Sequence, residues 1–406
     1  MSCRSVTRTL ASMAVALLSC VAMAAQSGSS SAADADLPTA KQDAEATSQD
    51  ARGEDPAPDP VDATTVSEID SRLVICDENA PPVAGAGVTS VLEPDSPPAR
   101  EIRELGFLVL GICAAIFIVV QGLLVVAIVR GARARRAAEK AGDTSEPVQL
   151  HGSIPIEVAW TVIPIIIVFV LTLVTIRTIR DIDLTEAPDG AMEVVVIGHQ
   201  WWWEFRYPDP DGDPGAEVVT ANEMHVPAGR PIWLRLESAD VIHSFWVPRL
   251  AGKTDLIPGR TNHTWFEAER PGLYLGQCAE YCGTQHAHML LRVYAHEPED
   301  FDRWLTSQRG PTVDEPSVAR GRRVFMEYAC MNCHTIAGTS DGMFGPNLSK
   351  LATRDTIGSG FIPLDRENLK AWIDDPQALK PGCNMPALKL DDQELDDVVD
   401  YLMTLR

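Results

Sequence analysis

The sequence predicts a membrane-anchored protein in three folded parts: a two-helix transmembrane hairpin, an all-β domain and an all-α domain. Three observations carry this. Two apolar runs, Leu105 to Val129 and about Ile156 to Ile179, are each long enough to cross a bilayer core. From Met192 to His296 the apolar residues come in short or alternating runs punctuated by Pro and Gly, which is strand patterning. Beyond Pro316 they fall at helical intervals around a single Cys-x-x-Cys-His.

At 406 residues the chain has room for two domains with their own cores plus accessory segments. Its net charge of -23 excludes a general nucleic-acid binder. About half of that charge sits in one segment, because residues 26–98 hold 15 acidic and 3 basic residues. Of the nine cysteines, four form two tight pairs, Cys278/Cys282 and Cys330/Cys333. Cys3, Cys20, Cys76, Cys113 and Cys383 are scattered, so they do not read as a disulfide framework.

Residues 1–25 carry Arg4 and Arg8, an apolar stretch and then small residues, the pattern of a secretory signal peptide. Leu17-Leu18-Ser19-Cys20 also resembles a bacterial lipoprotein signal, in which Cys20 would be lipidated. Residues 26–98 are rich in Ala, Asp, Ser, Pro and Gly and poor in aromatics, which predicts an acidic disordered tail. The hairpin spans 99–180. Arg130, Arg133, Arg135, Arg136 and Lys140 follow the first span and mark the connecting loop as cytoplasmic, so the tail and everything after Arg180 lie outside. Glu157 falls at the start of the second span. An acid there gains less than about 1 kcal/mol from the helix dipole, but an ionisable group at membrane depth also raises a functional hypothesis.

The β domain, 181–298, is expected as an antiparallel sandwich or barrel with strands near Glu193–Ile197, Pro231–Leu236, Val241–Val247, Thr261–Phe266 and Leu290–Tyr294. Trp201, Trp202 and Trp203 could be packing or interface anchors. Late in the domain, Gln277–Met289 reads QCAEYCGTQHAHM and holds Cys278, Cys282, His286 and Met289 in a C-x3-C-x3-H-x2-M run. Thiolate, imidazole and thioether together favour copper, since thioether sulfur is a poor zinc ligand. Zinc on the two cysteines, His286 and His243 is the metal alternative, and a Cys278–Cys282 disulfide is the other. A mononuclear blue-copper site needs one thiolate. The second suits two bridged coppers, with His288 as a spare imidazole.

A Gly, Pro and acidic linker, 299–316, with a short helical patch over Phe301–Gln308, separates this from the helical domain, 317–406. Cys330, Cys333 and His334 form the attachment pattern for c-type haem. A thioredoxin-like site would share the two cysteines, but no βαβ pattern surrounds them. The sixth haem ligand should be a downstream Met, with Met343, Met385 and Met403 as candidates. Gly321 and Phe325 share one helical face, Leu395, Val399, Tyr401 and Leu402 mark a last helix, and Asp391 with Glu394 supplies its N-terminal cap.

Taken together, the Gln277 loop, ADVIHSFWVP around His243, KTDLIPGR from Lys253 to Arg260 and GHQWWW from Gly198 resemble subunit II of haem-copper cytochrome c oxidases, over roughly Arg100 to Glu297. The remaining helical part resembles a class I cytochrome c. The resemblance implies a cupredoxin domain with a binuclear CuA centre, bridged by Cys278 and Cys282, with His243 and His286 as terminal ligands and Met289 and the Glu280 carbonyl as axial ligands. It also implies magnesium shared with subunit I through the Glu280 side chain, electron entry at Trp201, and a proton-channel mouth at Glu157. For haem c it points to Met385, in CNMPAL, as sixth ligand, and to the Pro346 carbonyl as the group that holds His334.

The implied partners are oxidase subunit I and the other oxidase subunits, membrane lipid, and cytochrome c or a cytochrome bc complex as electron donor, with no nucleic acid. The implied place is the bacterial inner membrane, with copper and haem domains on the periplasmic face. A tethered cytochrome raises the effective concentration of the immediate donor. Two rival functions are a membrane-anchored copper delivery protein, which the haem motif opposes, and an electron relay without an oxidase partner, which Glu280, Glu157 and the paired spans oppose.

Overall fold

The computed structural model describes residues 89–406, apart from 147–148, 150–151, 210–211, 214–215 and 312–317. The signal peptide, Cys20, Cys76 and most of the acidic tail lie outside those residues. The chain divides into two compact units, and the described part of the first is Ile112–Val174.

Helix α1, Pro97–Ala141, and helix α2, Ile154–Ile182, hold the two apolar runs, with mean hydropathy of 3.0 and 2.6 over their most apolar 18 residues. Their side chains face outward: Phe117 is 64% exposed and Phe169 62%. Apolar surface of that extent is stable only against lipid or another protein, and a helix is the form of chain that pairs its backbone internally as lipid requires.

The second unit contains both extramembrane domains. Ten strands make two five-stranded sheets. One has the order β3-β2-β1-β5-β8, with β1 at Met192–His199, β2 at Trp202–Tyr207, β3 at Val218–Ala221, β5 at Ile232–Ser238 and β8 at Asn262–Phe266. The other has the order β4-β10-β9-β6-β7, with β4 at Glu223–Pro227, β6 at His243–Trp246, β7 at Thr254–Leu256, β9 at Gly272–Cys278 and β10 at Leu290–His296.

The sheets close on a core that includes Val194, Trp203, Phe205, Leu234, Phe245 and Phe266. Each fully buried Phe contributes roughly 1.5–3 kcal/mol. The expected all-antiparallel arrangement needs correction: β1 pairs parallel with β5, and β10 with β4. The chain crosses between the sheets before returning to each, so these neighbours are not hairpin partners.

The acidic tail was expected to run unstructured to Pro98. It is ordered before that point, because Asp95 and Ser96 are buried. The Asp95 amide donates to the Arg249 carbonyl at 2.9 Å, its carboxylate pairs with both Arg249 and Arg270, and the Ser96 hydroxyl accepts from the Glu267 amide. The linker holds the helical patch expected over Phe301–Gln308, extended by a few residues. Its first half is helix α3, Pro298–Arg309, laid on the sandwich, with Phe301 buried and Trp304 stacked on His225 at 4.2 Å.

In the C-terminal domain, helices α4, Ala319–Glu327, and α7, Asp392–Leu402, cross. A Cβ at Gly321 would collide with the Asp397 carbonyl and the Tyr401 side chain, so only glycine allows this approach. Phe325 meets Tyr401 edge-on at 6.2 Å. Asp391 and Glu394 form a reciprocal capping box at the start of α7. Between them lie α5, Arg366–Asp374, and the single turn α6, Pro376–Leu379.

This domain sits against the sandwich through polar contacts. The buried Glu223 carboxylate accepts from the Asp355 and Thr356 amides and the Thr356 hydroxyl, and the Leu290 amide donates to the Ser359 carbonyl.

Candidate metal and haem centres

Strands β6 and β9 pair Phe245 with Cys278, which sets the His243 ring beside the loop that leaves β9. His243 Nδ1 is 4.0 Å from Cys278 Sγ, the two cysteine sulfurs are 3.8 Å apart, and Cys282 Sγ is 3.6 Å from His286 Nδ1 and 3.8 Å from Met289 Sδ. The Glu280 carbonyl lies 3.1 Å from Cys278 Sγ, while the Glu280 side chain is exposed. All the residues assigned to copper from the sequence are therefore together.

A 3.8 Å separation is not a disulfide, and both cysteines are free. Two sulfurs, two imidazoles and a thioether, converging in a buried pocket, form a donor set suited to a soft metal. His286 belongs to the cluster. His288 instead hydrogen-bonds Gln285 at 2.6 Å and packs on Phe361.

The surrounding residues fix this arrangement. His243 Nε2 is 2.8 Å from Asp240 Oδ1, which directs Nδ1 toward the sulfurs. Burial alone would lower the His243 imidazole, but Asp240 and Cys278 beside it carry its pKa above the usual value. Contact with Cys282 and His243 pulls the Cys278 thiol toward thiolate, the form a metal needs. At Gly198 a Cβ would meet the His243 ring at 2.8 Å, which accounts for a glycine opening GHQWWW. Asp240 was not singled out from the sequence, although it lies inside the ADVIHSFWVP segment, three residues before His243.

The three tryptophans take different places. Trp202 and Trp203 are buried in β2, and the Trp203 indole points its N–H at the Met289 carbonyl at 3.4 Å. Trp201 precedes the strand. Its indole donates to the Cys282 carbonyl at 3.0 Å, as does the Gln200 side chain at 2.7 Å.

The second centre is a cavity of about 430 Å³, lined among others by Cys330, Cys333, His334, Met385 and Trp372. His334 Nδ1 is 2.8 Å from the Pro346 carbonyl, so that nitrogen is committed as a donor and Nε2 is left for a metal. Burial holds the imidazole below its usual pKa, in the neutral form a ligand requires. Of the three candidate methionines, Met385 lines this cavity. Met343 is 76% exposed and Met403 ends α7. Arg354 also lines it, with a buried Nε that has no hydrogen-bond partner among the described residues. An unpaired guanidinium nitrogen at an apolar, Cys- and His-lined cavity fits a group with anionic substituents such as haem. Arg354 carries no sequence signal of its own.

Residues 90–178 match the family described as cytochrome c oxidase subunit II, transmembrane domain, residues 192–295 its periplasmic domain, and residues 318–406 cytochrome c. Cytochrome c oxidase subunit 2 of Alkalihalophilus pseudofirmus is 36% identical over 326 residues, covering 78% of this chain and 91% of that one.

The chain belongs to the cytochrome c oxidase subunit II family.

The Bacillus subtilis member is 30% identical over 288 residues, covering 66% of this chain and 79% of that one. A solved periplasmic domain of subunit II from Bradyrhizobium japonicum is 32% identical, covers 30% of this chain and 97% of that one, and has a TM-score of 0.28. Subunit II of a haem-copper oxidase is part of an oxidoreductase. In this member the two membrane-spanning helices, the periplasmic cupredoxin domain and a fused C-terminal cytochrome c domain are all present. These domains imply copper and haem.

Glu157 lies in the first turn of α2, exposed.

Proposed function

We propose that this chain is the electron-entry subunit of a terminal oxidase in a bacterial inner membrane, passing electrons from an external donor through covalent haem c and a binuclear copper centre to subunit I. There oxygen reduction would be coupled to proton translocation. The observation that carries the reading is Trp201, whose indole holds the Cys282 carbonyl of the sulfur cluster while its own carbonyl accepts from Lys380 of the cytochrome domain at 2.9 Å. One residue touches both centres.

The residues divide the work. Cys330 and Cys333 would hold haem covalently, and His334 and Met385 would ligate its iron. Arg354 offers its free Nε to the rim. Cys278 and Cys282 would bridge two coppers, with His243 and His286 terminal and Met289 and the Glu280 carbonyl as weak ligands. Such a pair supplies one-electron transfer with little rearrangement. Asp240 and Gly198 keep His243 in place. The exposed Glu280 carboxylate would reach a magnesium ion shared with subunit I, and Glu157 would admit protons toward that partner. Cytochrome c or a bc complex would be the donor, and lipid would cover α1 and α2.

Trp201→Phe keeps an aromatic ring but loses the indole N–H and its hydrogen bond to the Cys282 carbonyl. Flash reduction of the haem should then show transfer to copper slowed tenfold or more, on the order expected when a positioned group is lost, with the copper spectrum unchanged. Equal rates in parent and variant would remove Trp201 from the route. For Glu157→Ala, the assembled oxidase should turn over more slowly with its metals intact. Undiminished turnover would remove the proton role.

A further inference from the structure

Lys380 follows α6 and is 3% exposed, yet it pairs with no carboxylate among the described residues. Its Nζ donates to two backbone carbonyls, Trp201 at 2.9 Å and Gly358 at 3.0 Å. Burying an ammonium without a carboxylate beside it is costly, and burial pushes this one down to about 7. A side chain that only filled space would not carry that cost.

Its neighbours act in the same direction. The Asn384 side-chain amide donates to the Gln200 carbonyl at 2.8 Å, and the Gln285 side-chain amide donates to the Pro381 carbonyl. Three hydrogen bonds therefore fasten the 380–385 segment, which ends at Met385, to residues that abut the sulfur cluster. Gln285 precedes His286, and Gln200 and Trp201 both hold Cys282. Lys380, Trp201, Gln200 and Met385 line one cavity.

We propose that Lys380 is a positioning residue, clamping the Met385 segment to the Gln200–Trp201 peptide and thereby fixing the spacing between the haem and copper modules. The cytochrome domain is then a seated donor and not a swinging one. Tethering alone sets how often the modules meet, whereas the clamp sets the geometry in which they meet. The step it governs moves one electron between modules and makes or breaks no bond. This rests on the relay reading above, with Trp201 on the route.

The test uses the full chain loaded with haem and copper. Lys380→Met keeps chain length and apolar bulk but cannot donate a hydrogen bond. Transfer from haem to copper should slow about tenfold or more, while the haem spectrum, the copper spectrum and the rate of haem reduction by an external donor stay as in the parent. A packing defect would disturb those three signals as well.

Amide hydrogen exchange over residues 199–203 and 380–385 should rise in the same variant, a readout independent of electron flow. If Lys380→Met does not fold, Asn384→Ala, which loses a single exposed hydrogen bond, decides the matter by the same measurements with smaller expected changes. Parent-like transfer and exchange in the folded variant overturn the proposal. A parent without the paired-copper signal would defeat the relay reading instead, and the exchange measurement would still report on the clamp.

Discussion

Cys282→Ser is expected to strip the copper site of one or both of its metals. Cys282 Sγ lies within 3.8 Å of Cys278, His286 and Met289 together, so its loss breaks three donor contacts at once. A serine oxygen is a harder donor and does not replace a bridging thiolate. Copper content should fall from two per chain to one or none, with haem content unchanged because Cys330, Cys333 and His334 lie in a separate domain. Retention of two coppers by the variant would mean that the cysteines do not bridge them. The removal of a sulfur that only packs would cost far less.

Asp95→Ala should destabilise the cupredoxin domain by about 3–5 kcal/mol, the range seen when one partner of a buried ion pair is removed. The Arg249 side chain is 3% exposed and the Asp95 side chain 4%, so the guanidinium would be left buried without its counter-charge. Arg249 also donates to the Glu93 carbonyl and lies over the Tyr274 ring, and neither contact neutralises it. Thermal unfolding of the full chain should show a lower melting temperature for this domain, with the haem domain's transition less affected. Arg270→Ala removes the exposed partner of the same carboxylate, which should cost within about 1 kcal/mol. Equal effects for the two variants would contradict the assignment of Arg249 as the dominant partner.

The sites were more legible in the sequence than the fold that carries them. Cysteine, histidine and methionine at short fixed spacings announce their chemistry locally, and the loop from Cys278 to Met289 folds back on itself so that local spacing becomes spatial contact. His243 comes from a distant strand, so no local spacing ties it to the loop, and its copper role rested on the resemblance of its flanks.

Strands whose two faces are both covered were harder to read. β2 carries consecutive buried Trp202, Trp203, Glu204 and Phe205, so it has no alternation to reveal it, and β3, β4, β7 and β9 were missed for related reasons of shortness or mixed pattern. The parallel pairings depend on crossings between sheets, which no local pattern encodes. Asp95 was hidden by composition: it ends an acidic, Pro-rich stretch, and only the position of Arg249 in space makes it a buried partner. Lys380 and Arg354 were hidden likewise, since a lone basic residue in a polar loop reads as solvated until a second domain covers it.

The central claim is a two-copper centre and one covalent haem on a single chain. The most direct measurement is copper and iron per full-length chain, with electron paramagnetic resonance of the oxidised protein. The account predicts two coppers sharing one unpaired electron, together with one low-spin haem iron. A single copper with its own hyperfine pattern, or zinc in the Cys278 loop, would contradict it.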